Sequence, residues 1–167
     1  MSCSAIKYEI NIDTYEIIEI ERFNRYYFPV EEFDPSAVAV NGLTKDVITK
    51  KRGNSDYPKH FKQDSDFQKF CNGVYKFVAH NISFDSKFIP FLKGKQKFCT
   101  MMTNMDIVAV EFLSWKNQWK YPKLSETAKH YKIPFNKKSL HSSMSDTEIT
   151  AKIFFKMLEA VKKENIF

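Results

Sequence analysis

Strand-like and helix-like patterns alternate along most of this chain, and their order is the feature that most limits its fold. Residues 4–12 alternate apolar and polar side chains and predict a strand. Residues 16–28 predict a second, longer strand that ends before Pro29, so the two segments form a hairpin. Apolar segments at 76–81 and 97–102 predict two further strands, with helical segments between and after them. This order predicts an α/β fold with a mixed sheet. The apolar face of the first strand carries Ile6, Tyr8, Ile10 and Ile12.

Helices are predicted where apolar residues recur every three or four positions next to capping residues. Asp34 is a predicted N-cap with Pro35 at the first helical position. Asn104 is a predicted cap as well, and Gly94 a predicted stop after a kink at Pro90. The predicted helices span residues 34–41, 67–74, 83–94, 104–116, 123–131 and 140–158.

The bulk composition is that of a soluble domain with a basic surface. A chain of 167 residues fits one domain, and its net charge of +6 favours a polyanionic partner such as nucleic acid. Three cysteines without a CxxC spacing argue against a disulfide framework and for a reducing compartment. Neither a signal-peptide pattern nor an apolar run of about 18 residues is present, so we expect a cytoplasmic protein without membrane association.

The last helix places a carboxylate on its apolar side. At about 100° per residue, Asp146 lies in the same arc as Ile149, Ile153 and Met157. An ionised carboxylate facing the core is costly unless it is paired or bound to a cation.

Asp85 predicts the same situation one strand earlier. It follows the strand at 76–81 directly, and in a helix it would share a face with Phe88, Ile89 and Leu92. A helix start after a buried strand is a usual place for an α/β active site. A plain N-cap or helix-dipole role is the alternative for either residue. Two inward carboxylates, each with a histidine upstream, suggest a hard divalent cation with oxygen ligands.

Two histidines accompany these carboxylates. His141 precedes Asp146 and can accept a proton near neutral pH, so it is a candidate general base; a surface loop histidine is the alternative. His80 ends a strand, and its alternative role is to hydrogen-bond loop backbone. A mononuclear zinc site built from His and Asp is a third possibility, although no HExxH or close His pair is present.

The residues around these carboxylates resemble the DnaQ-like 3′-to-5′ exonucleases of the DEDDh group. The segment FVAHNISFD is similar to the family's HNxxFD motif, and HSSMSD to its H-x4-D motif. Upstream, AVAVNGLTKDVI is similar to the family's HGIT loop, with Asn41 where His is usual. The resemblance runs from about Ser4 to about Leu158. The motif residues are His80, Asn81, Phe84 and Asp85, then His141 and Asp146.

The resemblance implies a ribonuclease H-like mixed sheet flanked by helices and two-metal phosphodiester hydrolysis with Mg²⁺ or Mn²⁺. Asp85 and Asp146 would bind metal, and His141 would activate water. The substrate would be the 3′ end of single-stranded DNA or RNA, and a DNA polymerase subunit is an implied partner. The implied substrate-binding residues are Asn41, Gly42, Leu43, His80, Asn81 and Phe84. For Asn41 and Gly42 the alternative is a plain turn.

The family's first motif, Asp-x-Glu at the end of a central first strand, has no match. Asp13 and Glu16 are one residue too far apart to share a strand face, so we interpret them as hairpin-turn residues. We therefore expect a single exonuclease-like domain over 1–167, truncated at its N-terminus relative to the family and without the central strand. Such a chain would lack half of the metal site. An inactive nucleic-acid- or polymerase-binding module of the same fold is the alternative to an active exonuclease.

Overall fold

A computed structural model describes residues 1–136 and 142–164 of the chain. It shows the mixed α/β organisation that the sequence predicts. The β-hairpin comes first, and helices and strands alternate after it. The strands are β1 (Ser2–Ile10), β2 (Ile17–Tyr26), β3 (Lys76–Ala79), β4 (Gln96–Cys99), β5 (Phe112–Leu113) and β6 (Gln118–Trp119).

The helices differ greatly in length, and only the last is long. They are α1 (Pro35–Asn41), α2 (Lys45–Arg52), α3 (Asp66–Phe70), α4 (Ile82–Asp85), α5 (Thr100–Thr103), α6 (Met105–Val108), α7 (Leu124–His130) and α8 (Ser143–Glu164). Short 3-10 turns lie at Phe61–Gln63, Pro90–Leu92 and Ser114–Lys116. The predicted N-cap at Asp34 is confirmed, because its side chain accepts a hydrogen bond from the Ser36 amide. No helix in the described ranges is long and apolar enough to cross a membrane.

The strands pair in three separate ladders. β1 and β2 are antiparallel with a register irregularity between Lys7 and Tyr8, β3 and β4 are parallel, and β5 and β6 are antiparallel. The α/β class with both strand directions is therefore confirmed. Within the described residues no hydrogen-bonded ladder joins β1 to β3. Helix α8 packs against both of these strands and so connects the hairpin to the parallel pair.

Two apolar clusters form the core. One packs α7 against α8 through Ala128, Ile133, Ile149 and Ile153, which are all buried. The other packs β2 against α3 through Phe23, Phe67 and Phe70, with ring centroids 5.0 to 6.1 Å apart. Many of the chain's phenylalanines thus serve packing, as the core interpretation of an aromatic-rich sequence predicts.

A buried ionic contact attaches the loop before α3 to the hairpin. The Asp64 carboxylate accepts hydrogen bonds from the Tyr27 hydroxyl at 2.6 Å and from the Arg25 guanidinium at 2.7 Å. Burial opposes ionisation of Asp64, but these two hydrogen bonds outweigh it, and the pKa of the carboxyl is lowered.

Several local predictions were wrong. The strand predicted at 97–102 ends at Cys99, and helix α5 (Thr100–Thr103) follows it. The helix predicted at 83–94 ends at Asp85, and a 3-10 turn begins at Pro90, because proline has no N–H and its ring clashes with the preceding turn. The helix predicted at 104–116 ends at Val108, where Ala109 adopts φ 45°, and a β-hairpin follows it. Ile12 lies in the turn beyond β1 and is 81% exposed.

Candidate functional site

The end of β3 turns sharply into α4 at the histidine–asparagine pair. Asn81 adopts the left-handed conformation, with φ 76°, which asparagine tolerates better than most residues. Its carbonyl accepts the Phe84 amide at 2.9 Å, and the single turn of α4 that follows ends at Asp85. The tight turn therefore keeps α4, and with it Asp85, close to the end of β3.

His80 is held at both ring nitrogens. Its Nε2–H donates to the Pro122 carbonyl at 3.0 Å, and Nδ1 lies 3.0 Å from the Thr100 hydroxyl. Burial lowers the pKa of the imidazole, although the Pro122 hydrogen bond opposes the shift. These contacts match the alternative in which His80 hydrogen-bonds loop backbone. They make His80 a positioning residue that ties a distant loop to the end of β3.

A buried polar network lies behind His80. The Asn104 amide nitrogen donates to the Thr100 carbonyl at 2.7 Å, and the amide oxygen accepts from the Tyr131 hydroxyl at 2.7 Å. The same nitrogen lies 3.2 Å from the Met157 sulfur of α8. Sequence analysis missed this network and assigned Asn104 a capping role that its side chain does not have. The only sequence signal is one asparagine among apolar residues.

Asp85 is half-buried, and burial raises the pKa of its carboxyl. It sits next to an exposed aromatic pair, since the ring of Phe84 lies 5.2 Å from that of Phe88 and the residues are 55% and 47% exposed. The site thus combines a carboxyl group whose ionised form is destabilised with apolar rings that face water. Such a carboxylate is stabilised by a cation or a proton, and exposed rings can stack on a base.

Asp146 occupies the first turn of α8, on the side of the buried Ile149. The turn contacts β1, because the Ser143 hydroxyl lies 2.5 Å from that of Ser4. The Thr147 hydroxyl donates to the Ser143 carbonyl at 2.7 Å and lies 3.3 Å from the Ser4 carbonyl. Asp146 is half-buried, as is every residue from Ser143 to Glu148, so its inward placement stays a prediction.

The elements that carry the two carboxylates are connected through α8. Its first turn, which holds Asp146, contacts β1 at Ser4, and α8 also packs against β3, the strand that precedes Asp85. Burial, followed by the charges of Cys71, Asp64 and Asp85, raises the pKa of the Cys3 thiol to about 12.

A metal centre of three or more ligands is not formed by the described residues. Among residues 1–136 and 142–164, no three His, Cys, Asp or Glu side chains are grouped so that they could hold an ion. His141 lies outside the described residues. Two carboxylates alone do not fit a two-metal site, because each divalent cation takes about six oxygen ligands.

The predicted substrate loop is a well-formed turn at the end of α1. Gly42 caps the helix in the left-handed conformation, with φ 68°, which favours glycine. The Asn41 side-chain oxygen accepts the Leu43 amide at 2.8 Å, so the plain-turn alternative accounts for this side chain. Asn41 and Gly42 are exposed, and Leu43 is half-buried.

Asp13 and Glu16 lie where the turn interpretation places them. Both are exposed, and the Asn11 side chain accepts the backbone amides of Asp13 and Thr14. Tyr15 adopts φ 60° within this turn. The turn also contacts the C-terminal part of α8, since the Lys162 ammonium donates to the Thr14 carbonyl at 3.3 Å. Asp13 and Glu16 thus flank the connection of the hairpin.

Comparison with known proteins gives one consistent result. The model of the exonuclease family RNase_T matches residues 9–154. The chain is 28% identical over 146 residues to a DNA polymerase III PolC-type protein of Staphylococcus haemolyticus. It is 25% identical over 147 residues to the 3′-5′ exonuclease DinG of Bacillus subtilis. Each alignment covers 86% of this chain but only 9% and 14% of these relatives, so the chain spans a small part of their length.

Proposed function

Because this chain belongs to the RNase_T exonuclease family, we propose that it is a metal-dependent 3′-to-5′ exonuclease acting on single-stranded 3′ ends of DNA or RNA. The observation that carries this proposal is the packing of α8, which holds Asp146, on β1 and β3, with Asp85 and the exposed ring of Phe84 directly after β3. The net charge of +6 suits a polyanionic substrate.

Enzymes of this family generally use divalent metal ions. In the proposed site Asp85 and Asp146 are ligands, and the ion is Mg²⁺ or Mn²⁺. The described residues form no group of three ligands, so further ligands are needed to hold two cations. Without them the proposed activity of this chain alone is low.

The remaining roles concern proton transfer and substrate contact. We assign His141 as the general base, by its position five residues before Asp146. Phe84 would stack on the terminal nucleotide, and the Asn41–Leu43 turn would border it with backbone groups. Asn81 shapes the turn, and His80 acts by holding the Pro122 loop.

Two proposals concern the setting of the domain. The whole chain, 1–167, is one exonuclease domain in the cytoplasm, where the free thiols of Cys3, Cys71 and Cys99 stay reduced. A DNA polymerase is the proposed partner, by likeness to the PolC-type relatives.

The test is degradation of 5′-labelled single-stranded DNA and RNA with Mg²⁺, Mn²⁺ or EDTA. In a preparation in which further carboxylates complete the site, Asp85→Asn and Asp146→Asn should each reduce metal-dependent shortening from the 3′ end by at least about 100-fold, as expected for groups that stabilise the transition state. Asp46→Asn is the matched control, since Asp46 is an exposed aspartate in the first turn of α2. Unchanged turnover in either site variant would refute the assignment.

A non-catalytic module that binds nucleic acid is the second candidate, and the lack of a three-ligand group among the described residues favours it. Under this alternative the chain binds oligonucleotides in EDTA but never shortens them. Shortening would be absent even when a partner strand supplies more carboxylates. Metal-dependent shortening by any preparation of the wild-type chain would exclude it.

A further inference from the structure

The segment between α6 and α7 forms a small projecting hairpin, residues 112–119, here called the tryptophan hairpin. β5 and β6 pair only through Phe112 with Trp119 and Leu113 with Gln118. The tip is the 3-10 turn Ser114–Lys116, and Trp115 in that turn is 75% exposed. The exonuclease site described above uses none of these residues.

The contacts that stabilise the tryptophan hairpin lie at its base and not at its tip. The Phe112 and Trp119 rings meet edge to face at 5.2 Å, and the Lys120 amide donates to the Glu111 carbonyl at 2.8 Å. Trp115 takes no part in that packing. A large indole that folding leaves in water marks an interaction surface, because its exposure forgoes hydrophobic stabilisation.

Charge indicates what this surface binds. Residues 114–123 contain Lys116, Lys120 and Lys123 and no acidic residue. The Lys116 ammonium lies 4.4 Å from the centre of the Trp115 ring, while Lys120 pairs with Glu111 at 3.7 Å. Exposed aromatic rings between cations are the features that bind single-stranded nucleic acid, through base stacking and phosphate contacts.

The hairpin is also connected to the candidate site. The chain leaving β6 reaches Pro122, whose carbonyl accepts the hydrogen bond from His80 at 3.0 Å. His80 lies five residues before Asp85 and four before the exposed Phe84. A single-stranded nucleic acid that stacks one base on Trp115 therefore has a second aromatic group, Phe84, in the segment that the His80–Pro122 hydrogen bond joins to the hairpin.

From this we infer that the tryptophan hairpin is a stacking platform that holds single-stranded nucleic acid away from the reacting end. The inference rests on the proposed nucleic-acid substrate and adds a binding surface to it. Trp115 stacks on a base, and Lys116 and Lys123 contact phosphates.

Binding of oligothymidylate and oligouridylate of about 15 nucleotides, measured in EDTA, tests the platform. Trp115→Ala should raise the Kd at least about fivefold, and Trp115→Phe should leave it within about twofold, because stacking on one base contributes that much and phenylalanine retains it. Tyr75→Ala is the control, since Tyr75 is 72% exposed in a segment outside the hairpin.

Intrinsic fluorescence supplies a second readout, because the chain has only two tryptophans. Oligonucleotide should quench the emission of Trp119→Phe and leave that of Trp115→Phe nearly unchanged. If the wild-type chain binds neither oligonucleotide, the inference and the proposed function fail together. If it binds both, and Trp115→Ala binds equally well, the hairpin serves another class of partner; only the inference is then overturned.

Discussion

Asp85 combines partial burial with a raised carboxyl pKa, and at the scale of single residues this has a consequence for stability. The folded state binds the Asp85 proton more tightly than the unfolded chain does. The free energy of unfolding therefore falls as pH rises above the ordinary value of 3.8, until the folded-state pKa is passed. At neutral pH the ionised Asp85 carboxylate therefore lowers the free energy of unfolding.

Asp85→Asn should therefore stabilise the chain at pH 7 while removing activity. The gain should shrink toward zero near the ordinary pKa of 3.8, where wild-type Asp85 is protonated as well. Urea unfolding at several pH values measures this difference. Asp56→Asn, an exposed loop aspartate, is the control. A site variant that is less stable than wild type at pH 7 would show that Asp85 is stabilised by partners.

Asp64 has the opposite effect on the pH dependence of stability. Its lowered pKa increases the free energy of unfolding at pH values above the ordinary carboxyl pKa of 3.8. This contribution is lost as pH falls through the folded-state pKa. Arg25→Met leaves a buried carboxylate without its ion pair, so we expect a loss of about 3 kcal/mol at pH 7 that diminishes in acid.

Lys69→Met is the matched control for that loss, because it removes an exposed pair with Asp66. Its effect on the free energy of unfolding should be below about 1 kcal/mol. Equal effects of the two substitutions would mean that burial of Asp64 does not matter.

At the scale of elements, α8 is the longest described helix, and it packs against several other elements. It contacts α7 through the core and also packs on β1 and β3. Ile153 is fully buried in this helix, whereas Val161, two turns later, is 47% exposed. Packing along α8 therefore weakens toward its C-terminal end, beyond Met157, which still packs on the core cluster.

Ile153→Ala should lower the free energy of unfolding by about 3 kcal/mol, since it removes a buried side chain and leaves a cavity. Val161→Ala, on the exposed part of the same helix, should stay within about 0.5 kcal/mol of wild type. Urea denaturation at neutral pH measures both. Similar losses at the two positions would place the core elsewhere along the helix.

At the scale of the whole molecule, the described strands leave β1 and β3 in different ladders on one helix. Strand edges present unpaired backbone groups that favour pairing with another strand. A strand between β1 and β3 would pair with these backbone groups. The same strand could supply the carboxylates that the proposed metal site needs.

Adding an N-terminal strand of about six residues with Asp-x-Glu, and its loop, should raise the melting temperature and give Mn²⁺-dependent shortening of 3′ ends. The 167-residue chain should melt lower or associate with rising concentration. Thermal melting, sedimentation and nuclease assays compare the two chains side by side. A 167-residue chain that is monomeric, stable and fully active would return Asp13 and Glu16 to consideration as ligands.

The sequence by itself determined the hairpin, the α/β order and the Asp34 cap. Each of these depends on neighbours two to four positions apart, and this local spacing is visible in one dimension. The motif of Asn81 and Asp85 was equally visible, since its turn is local.

Only the tertiary structure decided the separate ladders, the early end of α4 and the buried network of His80, Thr100, Asn104 and Tyr131. These features depend on residues far apart along the chain. Apolar periodicity predicted helix through 104–116, yet a left-handed Ala109 and the packing of Phe112 on Trp119 produced a hairpin. Whether an aromatic ring is packed or remains exposed like Trp115 depends on which elements lie above it, and local spacing does not contain that information.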